Sequence, residues 1–473
     1  MDQFIQSAAR IRPSERQLAW QEMEFYGFIH FTVNTFTNSE WGNGKEDPAI
    51  FNPSELDAVQ WVDTCKAAGM KGLILTCKHH DGFCLWPSRY TEHSVKNSPW
   101  REGKGDLVRE VADACRAGGI RFGIYLSPWD LHEPAYGDSA AYNTYFLNQL
   151  RELLTEYGDI FSVWFDGACG EGPNGKRQVY DWESYYRLIR ELQPEAVISV
   201  CGPDVRWCGN EAGHTRTSEW SVVPASMRDN EKIQENSQKK DDGEFAKRIN
   251  SQDDDLGSRK IIREADELVW YPAEVNTSIR PGWFYHPEED DQVKSLDELL
   301  EVYYRSVGGN AAFLLNLPPD KRGLIHENDA RRMRELGQKI RETFRNDMCL
   351  EAAVVASHED AMHPAVNLLD GKRDSFWCPP EGAEQAEIII DLQREKSFDR
   401  IVLMEHIRAG QRIESFELAW KDGDDWKPLD RGTVVGYKRI CRFGEVSARY
   451  IRLSVTASRW QPTLESIQIY LSK

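Results

Sequence analysis

Apolar residues recur along this chain in two rhythms, and the change between them divides it. Up to about residue 345, short apolar runs alternate with segments whose apolar positions share one helical face. Runs at 27–31, 72–77, 121–127, 162–167, 196–202, 268–274 and 311–317 read as strands buried on both sides, with 218–223 as an eighth. Between them Leu56, Val59, Val62 and Cys65 recur every three residues, and Leu107, Val108, Val111, Ala112 and Cys115 trace a helical face. Gly69 and Gly118-Gly119 supply the stops. About eight strands alternating with helices predict an α/β fold, a (β/α)8-like barrel over 1–345.

From about Cys349 the rhythm becomes short strands with turn signals, at 386–392, 400–405, 415–420, 438–443, 449–455 and 464–471. Turns such as Lys421-Asp422-Gly423-Asp424 separate them, which predicts an all-β sandwich over 346–473. About half of residues 228–260 are charged, and this stretch reads as a solvated insertion on the site-facing rim of the barrel, or as a loose helix.

A barrel of this kind carries its chemistry at the C-terminal ends of its strands. Several runs here end in polar residues that a closed core would reject: Lys78-His79-His80-Asp81, Pro128-Trp129-Asp130, Asp166-Gly167 and Glu274. Asp166 follows Phe161-Ser162-Val163-Trp164-Phe165, so a strand delivers its carboxylate beside Trp164, as a glycosidase nucleophile requires. The Asp-Gly pair taken alone is more often just a turn.

Composition narrows the partners. A net charge of −19 argues against nucleic acid and anionic membranes. No apolar run approaches 18 residues, and Met1-Asp2-Gln3-Phe4-Ile5-Gln6-Ser7 lacks the basic-then-apolar form of a signal peptide. The expectation is a cytoplasmic protein, or an extracellular one if a leader has been removed. The 10 Cys show no CxxC pair or zinc spacing and read as buried thiols.

Three stretches sharpen the reading: Tyr26-Gly27-Phe28-Ile29-His30-Phe31, Phe36-Thr37-Asn38-Ser39-Glu40-Trp41-Gly42 and Thr76-Cys77-Lys78-His79-His80-Asp81-Gly82-Phe83. With Leu85-Trp86-Pro87-Ser88 and Tyr125-Leu126-Ser127-Pro128-Trp129 they resemble glycoside hydrolase family 29, the retaining α-L-fucosidases. The resemblance implies Asp166 as nucleophile, and His30, Glu40, Trp41, His79, His80, Tyr125 and Trp164 as fucose-pocket residues. It implies no metal, the two imidazoles meeting sugar hydroxyls, and no required cofactor. Trp283 is a candidate wall for the C6 methyl of fucose, or an ordinary core residue.

The stretch Gly202-Pro203-Asp204-Val205-Arg206-Trp207-Cys208-Gly209-Asn210-Glu211-Ala212-Gly213 resembles the subgroup acting on branched α-1,3/4-linked fucose, with Glu211 as acid/base. Glu219 and Glu274 remain rivals for that role, and residues around Glu274 and Arg280 are expected to contact a second sugar branch. The alternatives are a broad-specificity fucosidase or an inactive protein that binds fucosylated glycans. The C-terminal region resembles the discoidin-like sandwich of carbohydrate-binding modules, through Pro364-Ala365-Val366-Asn367-Leu368-Leu369-Asp370-Gly371, Ser375-Phe376-Trp377 and Arg449-Tyr450-Ile451-Arg452-Leu453. Its 370–374 loop is a candidate for structural calcium.

Overall fold

Among the described residues ten strands precede residue 320, and eight of them form the barrel: β1 (Phe25–Ile29), β2 (Gly72–Lys78), β3 (Arg121–Leu126), β4 (Ser162–Phe165), β5 (Val197–Val200), β6 (Arg206–Trp207), β9 (Ala273–Ser278) and β10 (Ala311–Asn316). The other two, β7 (Val222–Pro224) and β8 (Leu268–Trp270), pair antiparallel as a separate ribbon. This is a computed structural model, and it describes residues 3–172, 174–237 and 255–472.

The barrel strands run in the order β5-β4-β3-β2-β1-β10-β9-β6, every pairing parallel. A single bridge between Ser199 and Val205 joins β5 to the segment entering β6, so the barrel is nearly closed. β2 is buried at every position and β1 likewise, as strands covered on both faces must be.

Two barrel-strand expectations are corrected. The 218–223 run is not a barrel strand; its end enters the outer ribbon, and the two-residue β6 takes the eighth position. The 268–274 run is broken between β8 and β9, where Pro272 has no N–H to continue a ladder. Among the helices, Ala58–Ala68 buries Ala58, Trp61, Val62, Cys65 and Ala68, while Val59 is exposed. A stride of three slips off a helix with 3.6 residues per turn, and Val59 lies off the buried face for that reason. Gly69 and Gly119 close their helices in the left-handed conformation, with φ of 89° and 71°.

The second unit contains β11 (Ala353–Ala356), β12 (Ala386–Glu405), β13 (Ile413–Asp422), β14 (Asp425–Gly432), β15 (Arg439–Ser458) and β16 (Leu464–Tyr470), all paired antiparallel in a β-sandwich. Runs expected as separate strands at 386–392 and 400–405 are halves of one bent strand, β12; its register shifts between Asp391 and Lys396, beside Gln393 at φ 68°. The sandwich is tied to the barrel by polar contacts. Asn310 accepts from the Tyr437 amide at 2.7 Å, and Arg259 pairs with Glu414 at 2.7 Å.

Of the charged segment at 228–260, positions 238–254 lie outside the described residues. Its flanks include the helices Asn230–Ser237 and Arg259–Arg263, and bury Ile233, Leu256 and Ile262. No helix among the described residues is long and apolar enough to cross a membrane.

Candidate active site

The polar ends of the barrel strands converge. Lys78 ends β2 and is fully buried, its Nζ bound to Asp130 Oδ2 at 2.8 Å and Gln149 Oε1 at 2.9 Å. Asp81 accepts from Thr32 Oγ1 and from the Phe83 amide, both at 2.7 Å. Gly82 turns the chain at φ 77°, where an added Cβ would lie 2.4 Å from Asp130 Oδ1. With the turn pinned at both ends, neither His79 nor His80 follows strand alternation. Their rings lie 4.1 Å apart in one pocket.

Asp166 follows β4. Its Oδ1 accepts from the Ala168 amide at 2.8 Å, and its Oδ2 from the Tyr125 hydroxyl at 2.9 Å. Tyr125 stacks between His79 and Trp164, at 5.6 and 5.3 Å. His80 Nε2 stands 3.7 Å from Asp166 Oδ2, and the Asp166 side chain keeps 20% exposure. The carboxylate is held at one edge and accessible at another.

Hydrogen-bond directions assign the imidazoles. Ser127 Oγ donates to the Trp129 carbonyl at 2.6 Å, so it accepts from His80 Nδ1 at 2.7 Å. Asn316 donates through Nδ2 to Ser278 Oγ and to the Trp283 carbonyl, so its Oδ1 accepts from His30 Nδ1 at 2.9 Å. Burial lowers His30 to about 3, outweighing the Asn316 bond, and also lowers His80 against the pull of Asp166 and Asp130. Both rings are thereby neutral, with Nε2 a bare acceptor. His79 Nδ1 is buried without a partner in the protein. Such a set accepts hydroxyl protons from a polyol. His79, His80 and Asp166 also present donor atoms within 4.8 Å of one another, a grouping a cation could use.

Aromatic rings close the pocket. Trp41, half exposed, meets His80 at 6.0 Å and Trp129 at 5.6 Å. Trp283 packs on His30 at 5.1 Å and Phe28 at 6.2 Å. Glu40 accepts from the Trp283 and Phe284 amides, at 2.9 and 3.0 Å, and lies 2.6 Å from His286 Nε2. Much of its carboxylate is therefore spent fixing the 282–286 loop against the pocket.

The three acid/base candidates separate cleanly. Glu211 is exposed, its Oε2 accepting from Trp283 Nε1 at 3.0 Å, and it sits in a turn that buried Asn210 ties through the Ala212 and His214 amides. Glu219 is buried between Arg206 and Arg216, at 2.8 and 3.3 Å, which hold its carboxyl below the usual range against the cost of burial. It braces the Glu211 loop, since Arg216 also reaches the Cys208 carbonyl.

Glu274 is fully buried, its oxygens bonded to Trp164 Nε1 at 2.7 Å and to the Tyr26 hydroxyl. Burial lifts its carboxyl to about 7. The expectation that Glu274 meets substrate is therefore corrected: it lies beneath Trp164 and orients it. Arg280 is likewise withdrawn from branch recognition, buried on Asp329 at 2.9 Å.

Ser127, Trp129, Phe284, His286 and Asn316 were not singled out from the sequence as site residues. Asn316 carries the same signal as Asp166, a polar residue closing an apolar strand. Ser127 lies two residues beyond Tyr125, where strand alternation returns to the same face. Ser127→Ala should raise KM about 5–10-fold with little change in kcat, because only one hydrogen bond orienting His80 is lost; steady-state kinetics checks the split.

In the sandwich, Asp370 accepts from Ser375 Oγ at 2.8 and 2.7 Å and from the Lys372 amide at 2.8 Å, closing the 370–374 loop through its own polar groups.

Known proteins with this architecture point one way. The α-L-fucosidase family model matches residues 11–343, and the F5/8 type C domain model matches 353–467. Alpha-L-fucosidase 1 of Arabidopsis thaliana is 41% identical over 469 residues, covering 98% of this chain and 88% of its own. A crystal structure of a glycoside hydrolase 29 family member from an unknown rumen bacterium superposes with a TM-score of 0.80 at 40% identity, over 98% of this chain and 78% of that one. A Ruminococcus gnavus GH29 fucosidase in complex with fucose gives 0.86 at 32% identity, over 98% and 95%.

Proposed function

The chain belongs to the α-L-fucosidase family, glycoside hydrolase family 29, and from that premise we propose that it releases α-1,3- or α-1,4-linked fucose from branched, Lewis-type glycans by double displacement. The observation that carries the chemistry is Asp166, fixed at a strand end by Tyr125 and Ala168 among neutral imidazole acceptors. Ionised Asp166 attacks the anomeric carbon as the bond to the leaving oxygen breaks, and Glu211 gives that oxygen its proton. Water then attacks the fucosyl ester, Glu211 takes the water's proton, and Asp166 departs. Two inversions retain the anomeric configuration. Glu211 thus serves as acid in the first step and as base in the second.

His30 and His80 accept fucose hydroxyls through Nε2, and Trp283 supplies an apolar wall. No metal takes part: prolonged EDTA treatment should leave kcat unchanged, and loss of activity restored by a divalent cation would move His79, His80 and Asp166 into a metal site.

The linkage is read outside the pocket. The 202–213 stretch supports the branched-substrate reading, with Glu211 on an exposed turn beside Trp283 where a second branch would pass. Two polar contacts of about 1 kcal/mol each give about 30-fold discrimination. A Lewis trisaccharide should exceed 2′-fucosyllactose in kcat/KM by about that factor. Equal values, or a preference for the α-1,2 linkage, would sink the linkage assignment and leave the fucosidase activity standing.

A further inference from the structure

A second aromatic concavity opens on the face of the barrel that carries Asp166, on the outer side of the wall. It holds about 620 Å³ and is lined mainly by Tyr180, Trp182, Tyr186, Pro203, Arg228 and Asn230. It is built by the helix Trp182–Leu192 that follows β4, the turn after β5, and the consecutive short helices Ala225–Arg228 and Asn230–Ser237. Because β4 and β5 are parallel, what leaves their C-terminal ends faces the same way as Asp166. Alternation along β4 sends Trp164 to the pocket and Phe165 outward, where Phe165 packs on Trp182 at 5.7 Å.

The lining has the two components of a sugar site. Trp182 and Tyr186, one helical turn apart, have ring planes 26° from parallel with centroids 6.2 Å apart, and Tyr180 stands 5.2 Å from Trp182. Such a platform takes the C–H face of a pyranose. The polar groups are held firmly. Asn230 Nδ2 donates to the Tyr186 hydroxyl at 2.7 Å, which donates to the Cys201 carbonyl at 3.0 Å. Arg228 reaches the Trp270 carbonyl at 3.3 Å, with its guanidinium 5.3 Å from the Tyr271 ring.

One atom of each residue is left over. Asn230 Oδ1, an acceptor, and Arg228 Nε, a donor, are buried without a partner in the protein. Unpaired buried polar atoms are costly, and a hydroxyl that both donates and accepts satisfies either. Exposed Asp181 and Glu183 at the rim disfavour an anionic ligand. The volume suits one or two sugar rings. Another cavity, about 650 Å³ around Asn52, Pro53, Glu55, Asp57, Arg101 and Glu102, has no comparable stack of rings.

We infer that this groove is a glycan-binding subsite that holds a neutral pyranose of the substrate remote from the fucose. The ligand class rests on the fucosidase reading, but not on the linkage. Two variants, Trp182→Ala and Asn230→Ala, are assayed on an aryl α-L-fucoside, which lacks any remote sugar, and on a fucosylated lacto-N-tetraose. The expected result is aryl fucoside kcat/KM within about twofold of wild type, with the pentasaccharide value lowered about tenfold in both variants, chiefly through KM. Equal loss on both substrates marks a packing defect beside Phe165 and overturns the proposal, as does loss on neither.

Saturation-transfer NMR of wild type and Trp182→Ala with N-acetyllactosamine reads the subsite without catalysis. Signal in wild type that Trp182→Ala removes supports it; signal absent from wild type, or kept by the variant, overturns it. A wild-type chain inert on every fucoside yet positive in this NMR experiment would sink the fucosidase activity and leave the subsite standing.

Discussion

Asp166→Ala lowers turnover of an aryl α-L-fucoside by about 10³-fold or more and leaves the protein folded. The size follows from the step removed, since without the carboxylate no fucosyl ester forms and water must attack unaided. The fold survives because Asp166 contributes little to packing: its side chain is partly exposed and its bonds go to Tyr125 and the Ala168 amide. Truncation leaves the buried Tyr125 hydroxyl short of a partner, a cost of about 1–3 kcal/mol. A melting temperature a few degrees lower is therefore expected. Azide gives the sharper reading. It can enter the space the carboxylate leaves and attack an activated α-fucoside once, giving the β-fucosyl azide. Activity within tenfold of wild type, or an azide product of α configuration, would remove Asp166 from the nucleophile's role.

The residues most legible in the sequence were those whose chemistry conflicts with their position. A carboxylate or imidazole at the end of an apolar strand has no packing reason to be there, so Asp166, His79 and His80 stood out, and all three line one pocket. The same rule misread Glu274. It sits within β9, one residue past the strand's start, and points into the barrel interior where Trp164 and Tyr26 satisfy it. Sequence marks a polar residue in an apolar context without telling which end of the strand bears it.

The eighth strand was invisible for a different reason. Arg206–Trp207 is two residues long and polar enough to carry no periodicity, and its pairing with β9 is set by the closing of the barrel. The resemblance points to Glu211 and leaves Glu219 a rival, and only the fold shows how their surroundings differ, bringing Arg206 and Arg216 onto Glu219 and Trp283 onto Glu211.

Glu211→Ala should divide substrates by their leaving groups. A dinitrophenolate departs without a proton, so the first step on its fucoside stays near wild type, while a sugar alkoxide needs the proton and that step slows by about 10²–10⁴-fold. On the activated substrate the slow step becomes hydrolysis of the ester, because no base deprotonates water. Azide, which needs no base, then accelerates turnover and yields the α-fucosyl azide, the product of two inversions. That anomer is opposite to the one expected from Asp166→Ala, so the two carboxyls are told apart by product as well as by rate. The neighbouring acids act as controls. Glu219→Gln weakens the ion pairs that brace the Glu211 loop and should lower activity on good and poor leaving groups alike, with a lower melting temperature. Glu274→Gln perturbs Trp164 beneath the sugar and should act mainly through KM. Trp283→Phe removes the Nε1–H bond to Glu211 while keeping a ring against His30, and should show a weaker form of the Glu211→Ala pattern. If the dependence on leaving group and the azide acceleration appear in Glu219→Gln or Glu274→Gln and not in Glu211→Ala, Glu211 is not the acid/base.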